Sequence, residues 1–305
     1  MMTKKQKTVA LLILLSAQGA YAQLAVTKGM MDRSQGKLKK EKLDEAMIRC
    51  WYTFTQHATN EGESIQVTDT FTLDVGTNYS LYYDYNRYVR DSLYSESGRG
   101  LRKSVRLIKI MDDERADRVD MEALKKEGGI YREVPPKGET AKLYKSKKKQ
   151  EITIIDGDNV TMYKATEHIP PQAWTLSEDT ATILGYTCQK AGTTFKGRTY
   201  AAWFAPEIPL PDGPWKLYGL PGLILKAEVD GGAFQFQAIG LTELPSLPIT
   251  MDKDQYAKTT VEQIGKLPHK KTHKRSYFGN DGVMVRSFID SKLLYQALEL
   301  PENQN

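Results

Sequence analysis

The sequence predicts a mainly β protein, built as one large curved antiparallel sheet, half-barrel-like in outline, with one or two helices packed on it or inserted into it. Three observations carry that expectation. Apolar and polar side chains alternate with a period of two over many short runs, and turns rich in Gly, Asp and Asn separate those runs. Only one stretch shows a clear helical pattern with its own start and stop signals.

Ala46, Ile48, Cys50, Tyr52 and Phe54 share one parity while Arg49 and Thr53 take the other, which is the pattern of a half-buried strand. Ile65, Val67, Phe71 and Leu73 repeat it, and the polar residues 59–62 supply the turn of an antiparallel hairpin. Residues 79–94 add Tyr82, Tyr83, Tyr85 and Tyr88, read as cross-strand pairs on a half-exposed sheet. Residues 112–126 predict a helix: acids Asp112, Asp113 and Glu114 open it, Lys125 and Lys126 close it, and Gly128-Gly129 stops it.

Further strands are expected over 151–155, 161–165 and 185–191, with Asp156-Gly157-Asp158-Asn159 as the first turn. Residues 193–195 and 198–204 flank Lys196-Gly197, a two-residue hairpin loop, and 223–229 and 233–241 flank Asp230-Gly231-Gly232. Phe234, Phe236 and Ala238 face one side and Gln235 and Gln237 the other, so one face of the sheet is wet. A polar segment over 252–266, a candidate helix, and a strand-to-helix stretch over 283–300 complete the chain.

The 305 residues are 40% hydrophobic and 27% charged, enough for a buried core. Lys and Arg number 43 against 38 Asp and Glu, and Lys4, Lys5 and Lys7 of that excess belong to an N-terminal leader, so the charge balance does not point to nucleic acid. Residues 1–22 read as a signal peptide: a basic start, an apolar stretch from Val9 to Ala17, and Ala20-Tyr21-Ala22 as the cleavage site. Residues 23–43 form a polar segment, and 44–300 a single β-rich domain. Export to the periplasm or outer membrane, or secretion, is expected, with no membrane-spanning segment after cleavage. In that oxidising setting Cys50 and Cys188 are candidates for a disulfide worth about 4–5 kcal/mol; each also fits a strand as a small buried hydrophobe.

Gly219-Leu220-Pro221-Gly222-Leu223-Ile224 resembles the signature of the GLPGLI (Porph_ging type) family of exported bacterial proteins. The block from Ile183 to Ala191, the run from Phe195 to Phe204, Pro206-Glu207-Ile208-Pro209 and Gly213-Pro214-Trp215-Lys216 extend the likeness over about 46–241. The resemblance implies no reaction and no catalytic residue. In physical terms, Leu220-Pro221-Gly222-Leu223 has Pro second and Gly third, the chemistry of a type II turn in which Gly222 takes a positive φ.

Other candidates favour plain structural roles. His269 and His273 stand four apart, but Lys270, Lys271, Lys274 and Arg275 would repel a dication, so a basic loop is expected and no metal. The Asp156–Asn159 turn lacks the downstream ligand pattern of a calcium loop. Lys142, Lys145, Lys147, Lys148 and Lys149 make a positive stripe, read as a solvated strand edge. No nucleotide-binding, serine-hydrolase or zinc-peptidase motif is present.

The first functional expectation is an exported envelope protein that holds an apolar or lipid-like ligand without catalysis, by analogy of shape with half-barrel carriers. Trp203, Trp215, Tyr218, Leu220, Phe234 and Phe236 would line the site, with no cofactor. The alternative is a protein-interaction module of outer-membrane assembly or uptake machinery, docking a partner by strand addition. The third reading is a hydrolase with His57 or His168 beside carboxylates.

Overall fold

The computed structural model describes residues 38–60, 63–85, 132–133, 141–157 and 161–267, the strands at 273–278, 284–290 and 294–295, and residue 299. The leader, residues 23–37 of the polar N-terminal segment, the helix expected at 112–126, residues 86–94 of the tyrosine run and His269 lie outside them.

The described residues begin with the long strands β1 (Lys40–Asn60) and β2 (Glu63–Gly76), followed by β3 (Tyr79–Asp84). After β4 (Arg132–Glu133) come β5 (Lys142–Ser146), β6 (Glu151–Gly157), β7 (Met162–His168), β8 (Thr175–Ile183), β9 (Tyr186–Phe195), β10 (Arg198–Ala205), β11 (Leu223–Val229) and β12 (Phe234–Asp252). The last elements are β13 (Tyr256–Lys258), helix α1 (Val261–Gly265), β14 (His273–Phe278), β15 (Met284–Asp290) and β16 (Leu294–Tyr295).

Thirteen strands form one open curved sheet in the order β13-β7-β6-β5-β3-β2-β1-β12-β11-β10-β9-β8, with β16 on β1. Its pairings are antiparallel except β13 with β7. A second sheet has the order β15-β14-β4. Against β12, strand β1 slips register at Lys42/Asp44, Ala46/Ile48 and Trp51/Tyr52. Such bulges bend and twist a strand, which is how 21 residues of β1 can follow a curved surface.

The inner face carries the core. Cys50, Tyr52 and Phe54 of β1 meet Leu73 and Phe71 of β2 and Phe234 and Phe236 of β12, all buried. Phe54 stacks on Phe236 with centroids 4.7 Å apart, and Phe71 on Tyr82 at 4.9 Å. Burying one such ring contributes roughly 1.5–3 kcal/mol. The Tyr52 hydroxyl, brought inside with its ring, donates to the carbonyl of Ile224 at 2.8 Å, so no polar cost remains there. Gln235 and Gln237 face outward and half-exposed, as their alternation predicts.

Local chemistry fixes the turns. Lys196 (φ 50°) and Gly197 (φ 71°) close β9–β10 in the two-residue geometry that matches strand twist. The segment over 252–266 becomes β13 and then the five-residue α1, whose Thr260–Gln263 capping box satisfies its first N–H groups. No helix among the described residues is long and apolar enough to cross a membrane.

Two local expectations are corrected. The lysine stripe is not a solvated edge: β5 lies between β3 and β6, and Lys145 is buried because Asp212 neutralises it. Cys50 and Cys188 are both buried free thiols, so the candidate disulfide is not formed in this structure.

Candidate functional site

Residues 206–222 connect β10 to β11 and are folded tightly against the sheet end. Gly222 N–H donates to Leu220 C=O at 2.8 Å, a tight turn centred on Pro221. The positive φ falls at Gly219 (98°) and not at Gly222, so the type II turn is not the one formed. Gly222 is required for space: a Cβ there would lie 2.3 Å from the Ala205 carbonyl oxygen. Trp215 also takes a left-handed φ of 52°, held by ring contacts to Tyr200 and Phe195.

Buried charge pins this connection. Asp212 is 1% exposed and ion-pairs with Lys145; its second oxygen lies 3.7 Å from Lys147 Nζ, and it accepts the Gly213 N–H at 2.8 Å. Lys145 Nζ also donates to the carbonyls of Gly213 at 2.5 Å and Leu217 at 3.4 Å. Burial alone would raise the Asp212 carboxyl, but Lys145 and Lys147 prevail and hold it below the ordinary carboxylate range.

A second ionic knot surrounds Lys216, which is 1% exposed. Its ammonium contacts both Glu167 and Glu299, and Lys196 completes the square at 2.9 Å from Glu167 and 3.8 Å from Glu299. Four elements are thereby tied: β7, the β9–β10 turn, the β10–β11 connection and the C-terminal segment. Burial would raise Glu167 as well, and Lys216 and Lys196 reverse that.

The outer face offers the accessible chemistry. Across adjacent strands, register aligns Lys190 (β9), Trp203 (β10), Lys226 (β11), Gln237 (β12), Thr53 (β1) and Thr70 (β2) in one row. Beside it run Glu228, Gln235, Thr55 and Thr68, with the two threonine hydroxyls 3.1 Å apart. The half-exposed Trp203 ring has Lys226 Nζ 4.6 Å and Lys190 Nζ 5.7 Å from its centroid. Each lysine has a carboxylate partner, Glu228 at 2.6 Å and Asp179 at 3.0 Å. An open depression of about 390 Å³ lies here, lined by Trp203, Lys226 and Gln237 and by Thr182 and Leu184 at the tip of the β8–β9 hairpin.

The residues expected to line an apolar cavity separate into two groups. Trp215, Tyr218, Leu220, Phe234 and Phe236 are core, between 0% and 9% exposed, and the structure does not bring them to a common opening. Trp203 alone of the six is half-exposed, on the opposite face. His57 and His168 are exposed, the latter opposite Glu151 across β6–β7. His273 begins a strand, not a helical metal pair. Among the described residues no three His, Cys, Asp or Glu side chains converge as a metal site would require. Sequence reasoning missed Asp212, Lys190 and Lys226; the fixed register of the Lys196-Gly197 hairpin was the signal that places Lys190 opposite Trp203.

The amino-acid sequence falls within a known class of domain. Residues 106–267 match the family described as N-glycanase peptide, N-terminal domain, and since this is more than half of the chain, the protein belongs to that family. Two solved structures of PNGF-II are similar. The one in space group P21 has a TM-score of 0.46 at 13% identity over 76% of this chain and 35% of that one. The one in C2 has 0.42 at 14% over 74% and 34%. The chain thus spans about a third of the length of these structures. No curated protein matches it in sequence. The family match corrects the GLPGLI assignment. It also overturns the expectation of a non-enzymatic carrier of apolar ligands and its alternative, a docking module of envelope machinery.

Proposed function

We propose that the protein acts in the enzymatic release of N-linked glycans, with this β-rich domain engaging the glycoprotein. The observation that carries the reading is the family match, which covers strands β5–β12, the pinned β10–β11 connection and the Trp203 depression. The outer face supports it. Hydroxyls, amides and paired charges around a half-exposed indole suit an amphipathic, hydroxyl-rich ligand, and the shallow opening suits one that remains attached to a larger body. The leader expected over residues 1–22 would deliver the chain outside the cytoplasm, where it would meet glycoproteins.

The test pairs one N-glycoprotein with the same protein stripped of its glycans. The full chain should be retained on the glycosylated form and pass the stripped one, and mass spectrometry of the mixture should show released oligosaccharide. Equal retention on both forms with no released glycan would overturn the reading.

A further inference from the structure

Resting on that reading, we propose that the depression between the β8–β9 turn and Trp203 is a subsite for a neutral, hydroxyl-rich sugar of the N-linked glycan. Three features of the depression support this assignment. Its volume of about 390 Å³ falls in the range of small-molecule sites, while its open form leaves room for the rest of an oligosaccharide.

Charge selects the ligand class. Lys226 is the charged residue that lines the depression, and Glu228 neutralises it, while Lys190 on the other side of the Trp203 ring is paired with Asp179, so the lining carries no uncompensated charge. Vicinal hydroxyls, which donate and accept, fit the Lys226–Glu228 pair, whereas a carboxylate or sulfate would have to compete with Glu228 for Lys226. Thr182 and Gln237 add neutral partners, and the Trp203 ring offers an apolar surface for the C–H side of a sugar ring.

Leu184 supplies the third feature, independent of the others. It occupies the first position of a two-residue turn at φ 51°, where Asn or Gly fits and a branched apolar side chain is strained, and it is 42% exposed. The sister turn at Lys196-Gly197 meets the same backbone demand with a polar residue. An apolar side chain that is both strained and solvent-exposed at the lip of the depression is accounted for by contact with a ligand.

The experiment uses calorimetric titration of the full chain with a galactose-terminated complex-type N-glycopeptide, the same glycopeptide with its galactoses capped by sialic acid, and the bare peptide. Trp203→Ala, shown to be folded by circular dichroism, should weaken binding of the galactose-terminated glycopeptide at least tenfold. Leu184→Asn should raise the melting temperature while weakening binding severalfold, so its effect cannot come from misfolding. Sialic acid should bring no gain. Wild-type affinity in both variants would overturn the subsite and leave the glycan reading intact, and a tenfold preference for the sialylated form would overturn the neutral class. Failure of the wild-type chain to bind either glycopeptide would remove the glycan reading itself, and this subsite with it.

Discussion

Replacing Asp212 by Asn removes one charge from the most deeply buried ion pair among the described residues and leaves Lys145 behind. Both side chains are nearly inaccessible, at 1% and 4% exposure. Lys145 keeps its bonds to the carbonyls of Gly213 and Leu217, which solvate the ammonium but do not neutralise it. Breaking a buried pair from one side costs about 3–5 kcal/mol, because the remaining charge cannot reach water. With about 2–4 °C per kcal/mol for a domain of this size, the variant should melt roughly 6–20 °C lower. Lys145→Met alone strands Asp212 with Lys147, 3.7 Å away, as its remaining cation, and should cost a similar amount. The double variant Asp212→Asn/Lys145→Met should recover much of the loss, since no uncompensated charge remains. Urea unfolding of the four proteins at pH 7 measures the cycle. A single-variant loss under about 1 kcal/mol, or strictly additive losses, would refute the claim that this pair pins the β10–β11 connection.

Gly222→Ala places a methyl group 2.3 Å from the Ala205 carbonyl oxygen and 2.7 Å from its carbon; backbone cannot yield as a flexible side chain does. We expect a loss of about 1–3 kcal/mol by thermal melting, whereas Gly231→Ala, with nothing near its Cβ, should show only the strain of its φ of 68°. Asp212 and Glu167 both have carboxyl groups held below their ordinary range in the folded state. Their contribution is therefore complete above the unfolded carboxylate value of about 4 and is lost as pH falls through the folded values. Melting temperature should be flat from pH 7 to 5 and fall steeply below 4, less steeply in Asp212→Asn. Burial pushes the Cys50 thiol up to about 12 and raises Cys188 as well. At pH 8 neither should react with iodoacetamide in the native protein, and both should react in urea; rapid native labelling would show that these strands open.

Much of the sheet was legible because burial on one face writes itself into parity. Phe234, Phe236 and Ala238 alternate with Gln235 and Gln237, and the structure buries the first set and exposes the second. The hairpin at Lys196-Gly197 was equally readable, since a two-residue loop leaves little freedom in register. Strand β8 gave no such signal: its residues Thr175–Ile183 form the sheet's edge, mostly exposed on both faces, so no alternation marks it. Lys145 was misread for a different reason. Within Lys142–Lys149 it looks like every other solvated lysine, and the carboxylate that permits its burial lies 67 positions away in sequence. Pro221-Gly222 misled in a third way. A dipeptide reports the conformations its residues allow, and here the deciding constraint was the distance to Ala205, set by tertiary packing.

The two faces of β10–β12 also separate stability from binding in a testable way. Phe204, Leu225, Ala227 and Phe236 point inward to the core that the Lys145–Asp212 pair helps to close, while Trp203, Lys226 and Gln237 point to the depression. Strand spacing in the sheet is set by backbone hydrogen bonds at about 4.8 Å, so loosening the connection at one end does not move Trp203 relative to Lys226. Asp212→Asn should therefore lower stability and leave glycopeptide affinity within about twofold when titrated at 15 °C, where the variant remains folded. Trp203→Ala should weaken binding at the same temperature and also lower stability, since its half-buried ring packs against the core, so its binding is read in protein shown to be folded. If Asp212→Asn instead abolished binding in a sample shown by circular dichroism to be folded, the β10–β11 connection would itself be part of the site, and the inner and outer faces would have to be treated as one functional unit.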